Sequence, residues 1–147
     1  MLLYLFKMKF DYTATLVKDT RGKTIKRPML ELELLNEKGE SVLTALALID
    51  SGADTTMVNK QYAIPLGVDL TNATEVDVIG IANGKVSTRT ATLRFKIKQT
   101  EDELVIPANY VDSNNVDILL GEEIFFDKYK IKFEKDHETF EITKAKK

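Results

Sequence analysis

The segment LALIDSGADTTMV, residues 46–58, ends an apolar run on a carboxylate. Leu46, Ala47, Leu48 and Ile49 suit a buried strand, and Asp50 follows them directly. A carboxylate at the rim of a core is costly to charge, so it serves there either as a turn former or as a chemical tool. It activates water only where a second group supplies a proton and stabilises the opposite oxygen, and two carboxylates sharing one proton do both. Asp50 alone is half of such a site.

Other chemistries fall away by composition and spacing. The chain has no cysteine, which excludes disulfides, thiol catalysis and cysteine-ligated zinc and permits a reducing compartment. The one histidine, His137, lies in a polar turn near the C-terminus and reads as a surface residue, so a histidine-dependent triad has little to work with. Ser51 lacks the flanking glycines of a nucleophile elbow, and Gly52 stands where a haloacid-dehalogenase type of phosphotransferase needs a second aspartate. In DSNNVDILLGEE, residues 112–123, Asp112, Asn114 and Glu123 match calcium-loop positions, but Val116 and Asp117 fall where a ligand and a glycine are required. No phosphate-binding glycine loop and no His-Glu metal cluster is present, so we expect no cofactor and no metal.

The elements around Asp50 are short strands. FDYTATLV alternates, DTRGK turns, MLELELL places Leu30, Leu32 and Leu34 on one face, and NEKGE turns again, a pattern read as a meander. SVLTALALI is apolar at almost every position near its end, which predicts a strand covered on both faces. Pro65 and Gly67 limit any helix in VNKQYAIPLGVDL to a turn or two. TEVDVIG and KVSTRTATLRFKIK flank IANG, where Asn83-Gly84 predicts a tight type I′ hairpin turn. ELVIPANYV and NNVDILLG are two more strands, EEIFFDKY is the one credible helix with Glu122 and Glu123 in its first turn, and YKIKFEKDHETFEI reads as a closing hairpin.

Three of these features occur in a telling order. LIDSGADTT, the glycine-bearing hairpin IGIANGKV, and VDILLGEEIFF, whose Gly121 lies 71 positions after Asp50, together resemble the retropepsin-like aspartic proteases. The likeness runs from about residue 28 to residue 142 and is closer to the cellular and prokaryotic members than to the compact viral ones. It implies a mainly β fold, a closed acid-protease barrel with a flap hairpin and one short C-terminal helix. By resemblance Asp50 is the catalytic carboxylate, supported by Ser51, Gly52 and Ala53. Asp54, the flap residues Gly80, Ile81, Ala82, Asn83 and Gly84, and Leu119 are then the substrate-binding positions. The chain departs from the viral pattern at Glu122, where those enzymes carry an arginine that pairs with an acid near the active site.

One Asp-Ser-Gly per chain makes a homodimer the expected active form, with a two-fold axis through paired Asp50 side chains. The implied activity is an aspartic endopeptidase acting on peptides or unfolded protein. The alternative is a catalytically idle fold used as a dimerisation or peptide-binding module. A chain of 147 residues suits one domain, read as N-terminal strands over 1–27, a protease domain over 28–143 and a tail over 144–147. The net charge of −2 with interspersed signs argues against a nucleic-acid partner. The six apolar residues at the N-terminus are too few for a leader or a membrane span, and Met8 is an alternative start, so a cytoplasmic location is expected.

Overall fold

A computed structural model of the protein describes residues 7–79, 84–114 and 117–145. Leu30, Leu32 and Leu34 alternate with outward Glu31 and Glu33 in β4 (Met29–Leu35), and all three leucines are buried. NEKGE closes the hairpin to β5 (Ser41–Ile49), with Asn36 accepting from the Lys38 and Glu40 amides and Gly39 at φ +81°.

These strands begin a closed barrel of six. Its order is β4, β5, β10 (Ile118–Leu120), β6 (Thr56–Asn59), β9 (Glu103–Val111) and β8 (Lys85–Ile97), and β8 returns to pair with β4. β8 is long enough to serve twice: its start pairs with β7 (Thr74–Ile79) in an outlying hairpin, while Arg94 to Ile97 close the barrel against β4. Closure leaves no open edge among the six strands. Inside lie Leu93, Phe95, Ile97, Ile106, Ile118 and Leu120, each at most 2% exposed. Phe125, from the short helix α1 (Phe125–Lys128), plugs the barrel against Phe95 and Tyr129 with ring centroids 6.3 and 5.3 Å away. Burying a phenylalanine there contributes about 1.5–3 kcal/mol.

Outside the barrel, β1 (Lys7–Asp11), β12 (Thr139–Lys144) and β11 (Tyr129–Glu134) form a three-stranded sheet, and β2 (Thr13–Lys18) pairs only with β3 (Thr24–Arg27). Among the described residues, no helix is long and apolar enough to cross a membrane.

The mainly β barrel with one short helix agrees with the sequence, but several details differ. FDYTATLV is broken at Tyr12 into β1 and β2, which belong to different sheets, and Pro28 separates β3 from β4, so no continuous meander forms. Pro lacks the N–H a ladder needs, while its carbonyl accepts from Ile49. β5 is covered on one face only: Ala45, Ala47 and Ile49 point into the core, whereas Leu46 is 40% exposed. Glu122 and Glu123 precede α1, because a left-handed Ile124 at φ 65° intervenes and delays the helix to Phe125. The β7–β8 ladder is described up to the pair Ile79 and Lys85, and Asn83 of the expected Asn83-Gly84 turn lies outside the described residues. β12 runs through Lys144, one residue into the expected tail.

Candidate active site

The parallel pairing of β10 with β5 aligns Ile118 with Ala47 and Leu120 with Ile49, and β10 also pairs antiparallel with β6. β10 is thereby threaded between the two strands that flank the Asp50 turn. The Asp50 amide donates to the Leu120 carbonyl at 3.0 Å, which pins the carboxylate-bearing residue to the strand that ends at Gly121. Asp50 is half-buried, and one carboxylate oxygen, Oδ1, accepts from the Gly52 amide at 2.9 Å.

Gly121 fixes how closely the two segments meet. A Cβ placed on it would lie 2.2 Å from the Thr55 carbonyl oxygen and 2.8 Å from that of Ala53, both backbone atoms. Since Gly121 lacks a positive φ, the requirement is for space and not for conformation. Close approach allows the Glu122 amide to donate to Ala53 O at 2.8 Å and the Glu123 amide to Asp54 O at 2.9 Å. Thr56, completely buried, accepts from the Gly121 amide through Oγ1 at 3.2 Å. Thr90 donates to Asn109 Oδ1 at 2.7 Å, and Asn109 Nδ2 donates to Thr55 Oγ1 at 3.1 Å. The turn is held from both sides by buried polar groups with partners.

Gly52 makes no comparable approach to another backbone segment. A Cβ on Gly52 meets only the Asp50 carboxylate, at 3.2 Å, while the backbone contact belongs to Gly121. Ser51, Gly52 and Asp54 are exposed and Ala53 is half-buried, all within one turn of Asp50. The Asp54 side chain makes no ion pair among the described residues, and its carbonyl is engaged by the Glu123 amide. Leu119 lies mid-β10, half-buried on the outward face. Gly84 is exposed immediately before β8, whereas Gly80, Ile81, Ala82 and Asn83 lie outside the described residues.

Sequence reasoning missed the neighbours of Leu119. Met29 aligns with Leu48, Leu48 with Leu119, and Leu119 with Met57, a continuous apolar row across β4, β5, β10 and β6 on the face opposite the barrel core. All four are half-buried, and Leu48 is two residues from Asp50. Only strand register could bring them together. Thr55 and Thr56 were missed for the same reason, although their adjacency to the Asp-Ser-Gly turn was a signal.

Among the described residues Glu134, Asp136 and His137 bring possible metal-ligand atoms within 4.8 Å of one another, but they lie at the end of β11 and in the turn after it, outside the barrel.

Residues 41–126 match the model of the gag-polyprotein putative aspartyl protease family. The chain belongs to that family. The matched segment begins at β5 and ends within α1, so it holds the Asp50 turn, the β7–β8 hairpin and Gly121 together. The fold is similar to a retropepsin-like aspartic protease from Rickettsia conorii, with 16% identity, 97% of each chain covered and a TM-score of 0.58. The EIAV protease complexed with the inhibitor HBY-793 matches with 20% identity over 76% of this chain and 93% of its own, at a TM-score of 0.48. A retroviral protease-like domain of Ddi1 from Leishmania major matches with 14% identity over 74% of this chain and 82% of its own, at a TM-score of 0.48. No curated protein sequence matches the chain.

Proposed function

We propose that the protein is a homodimeric aspartic endopeptidase in which two Asp50 carboxylates, one from each chain, share a proton and activate a water for attack on a peptide carbonyl. The observation that carries this reading is the Asp50 turn itself. Its carboxylate receives the Gly52 amide, its backbone is pinned to Leu120, and its loop is clamped by Gly121, so the group is rigidly presented at a half-exposed position. Rigid presentation is what general acid–base chemistry requires, since a misplaced group loses most of its effect.

One carboxylate of the pair would take a proton from water while the other donates its proton to the carbonyl oxygen, and the proton later passes to the leaving amine. Ser51, Gly52 and Ala53 would support the turn. Asp54, Leu119 and the 80–84 connection would contact an extended peptide, held largely by backbone hydrogen bonds. The row of Met29, Leu48, Leu119 and Met57 supplies an apolar floor beside the carboxylate.

The test is to mix wild-type chains with excess Asp50→Asn chains, confirm hybrids by native mass spectrometry, and measure cleavage of an unstructured protein. Pure Asp50→Asn protein is expected to lose activity by about 10²-fold or more. Activity per wild-type chain is expected to fall with the wild-type fraction, because each hybrid holds one ionisable carboxylate. Undiminished activity per wild-type chain despite confirmed hybrids refutes the homodimeric mechanism.

A further inference from the structure

Residues 13–27 form a two-stranded arm of a different chemical character from the rest of the molecule. They carry five cations, Lys18, Arg21, Lys23, Lys26 and Arg27, against one Asp19, a net +4 in a chain of net −2, so all other residues together carry −6. None of the fifteen residues is buried, and among the described residues neither β2 nor β3 pairs with any other strand. An isolated hairpin is marginal in water unless something packs on it. Near its tip Leu16 is fully exposed and Val17 is 47% exposed. Asp19 engages Arg21 at 3.0 Å and Lys26 reaches Glu138 at 3.6 Å, but the charged ends of Lys23 and Arg27 have no partner among the described residues, and that of Lys18 meets only the Thr24 hydroxyl.

The arm is rooted at the carboxylate end of the barrel. Tyr12, just before β2, donates its amide to Glu138 O at 2.7 Å, which ties the base to the β11–β12 turn. At the other root, Pro28 follows Arg27 and accepts from the amide of Ile49, the residue preceding Asp50. A strand of six residues spans roughly 20 Å. The arm therefore extends from the neighbourhood of Asp50 over a distance comparable to several residues of extended peptide.

We propose that this arm is a docking element for acidic polypeptide segments that flank the bond to be cut. Its cations supply attraction to Asp and Glu side chains, its two open strand edges supply backbone donors and acceptors to an extended chain, and Leu16 with Val17 receives an apolar side chain within the acidic run. Peptide is favoured over nucleic acid because residues 13–27 contain no aromatic side chain on which a base could stack. The proposal rests on the protease reading of the Asp50 site only for its kinetic readout.

Binding is measured first with the full chain carrying Asp50→Asn, using fluorescence anisotropy of an Asp/Glu-rich peptide that includes leucines, beside a neutral peptide of equal length and single-stranded DNA of equal charge. The arm variant combines Lys18→Glu, Lys23→Glu and Arg27→Glu, all exposed, with circular dichroism to verify the fold. Expected results are affinity for the acidic peptide that weakens with salt, at least about a tenfold loss in the arm variant, and a smaller loss that persists at high salt for Leu16→Ser. In otherwise wild-type protein the arm variant should raise KM for a substrate with acidic flanks about tenfold and leave cleavage of a short neutral peptide within about twofold. Equal acidic-peptide binding by the parent and arm variants, or tighter binding of the DNA than of the peptide, overturns the proposal. Equal losses on the acidic and neutral substrates also overturn it, since the arm would then act on the fold or the site. Arm-dependent binding in a chain that cleaves neither substrate would uphold the docking element and refute the protease reading instead.

Discussion

Replacing Gly121 with alanine tests the clamp on the Asp50 turn most directly. The new Cβ would stand 2.2 Å from Thr55 O, and Cβ contacts under 3.0 Å essentially never occur, so the two segments must separate by about 0.8 Å to reach even that limit. The same movement stretches the 2.8 Å bond from the Glu122 amide to Ala53 O to about 3.6 Å, beyond hydrogen-bonding range, and strains the neighbouring bond from Glu123 to Asp54 O. One lost and one weakened backbone bond, together about 1–2 kcal/mol, plus about 1–3 kcal/mol for overpacking, give about 2–5 kcal/mol. The control is Gly67→Ala, where φ is +70° but nothing lies within 4 Å, so only backbone strain of about 1–2 kcal/mol applies. Urea unfolding at fixed protein concentration, followed by circular dichroism, compares the two. Cleavage by the folded fraction of Gly121→Ala should fall further still, by about 10²-fold, because a shift near 1 Å misplaces Asp50. If Gly121→Ala costs no more stability than Gly67→Ala, the close-approach argument is wrong.

The remaining expectations concern single hydroxyls and phenols. Thr56→Val keeps the shape of a buried side chain but leaves the Gly121 amide without its acceptor, and should cost about 1–3 kcal/mol in urea unfolding, whereas Thr56→Ser should recover most of that. Thr139 Oγ1 is buried without a hydrogen-bond partner among the described residues, so Thr139→Val should be neutral or stabilise by up to about 1 kcal/mol, and a clear loss would reveal a partner for that hydroxyl. Burial and the Asp117 carboxylate, to which its hydroxyl donates, raise the Tyr62 phenol to about 12, and burial with nearby Asp102 raises Tyr129 to about 12. Both folded values exceed the ordinary 10, so the associated stability is complete below pH 10 and fades as pH rises towards 12. Phenolate absorbance should show these groups ionising late and together with unfolding, and an ordinary midpoint near 10 in a protein with native circular dichroism would contradict it.

The sequence by itself determined the elements that local chemistry controls. Leu30, Leu32 and Leu34 declared the inner face of β4 because strand side chains alternate with period two, and the chain order of Asp-Ser-Gly, hairpin and Gly121 carried the family. Tertiary structure alone decided what depends on register and on contacts distant in sequence. That Gly121, and not Gly52, is the point of backbone contact follows from β10 being threaded between β5 and β6, and no local propensity encodes that threading. The Met29, Leu48, Leu119 and Met57 row exists only because four separate strands align, since shifting one strand by a single residue would turn its member of the row into the core. The break of FDYTATLV at Tyr12 was hidden for a related reason. An alternating pattern shows which residues share a face, but the partner strands β12 and β3, chosen by long-range packing, decide where one strand ends and the next begins.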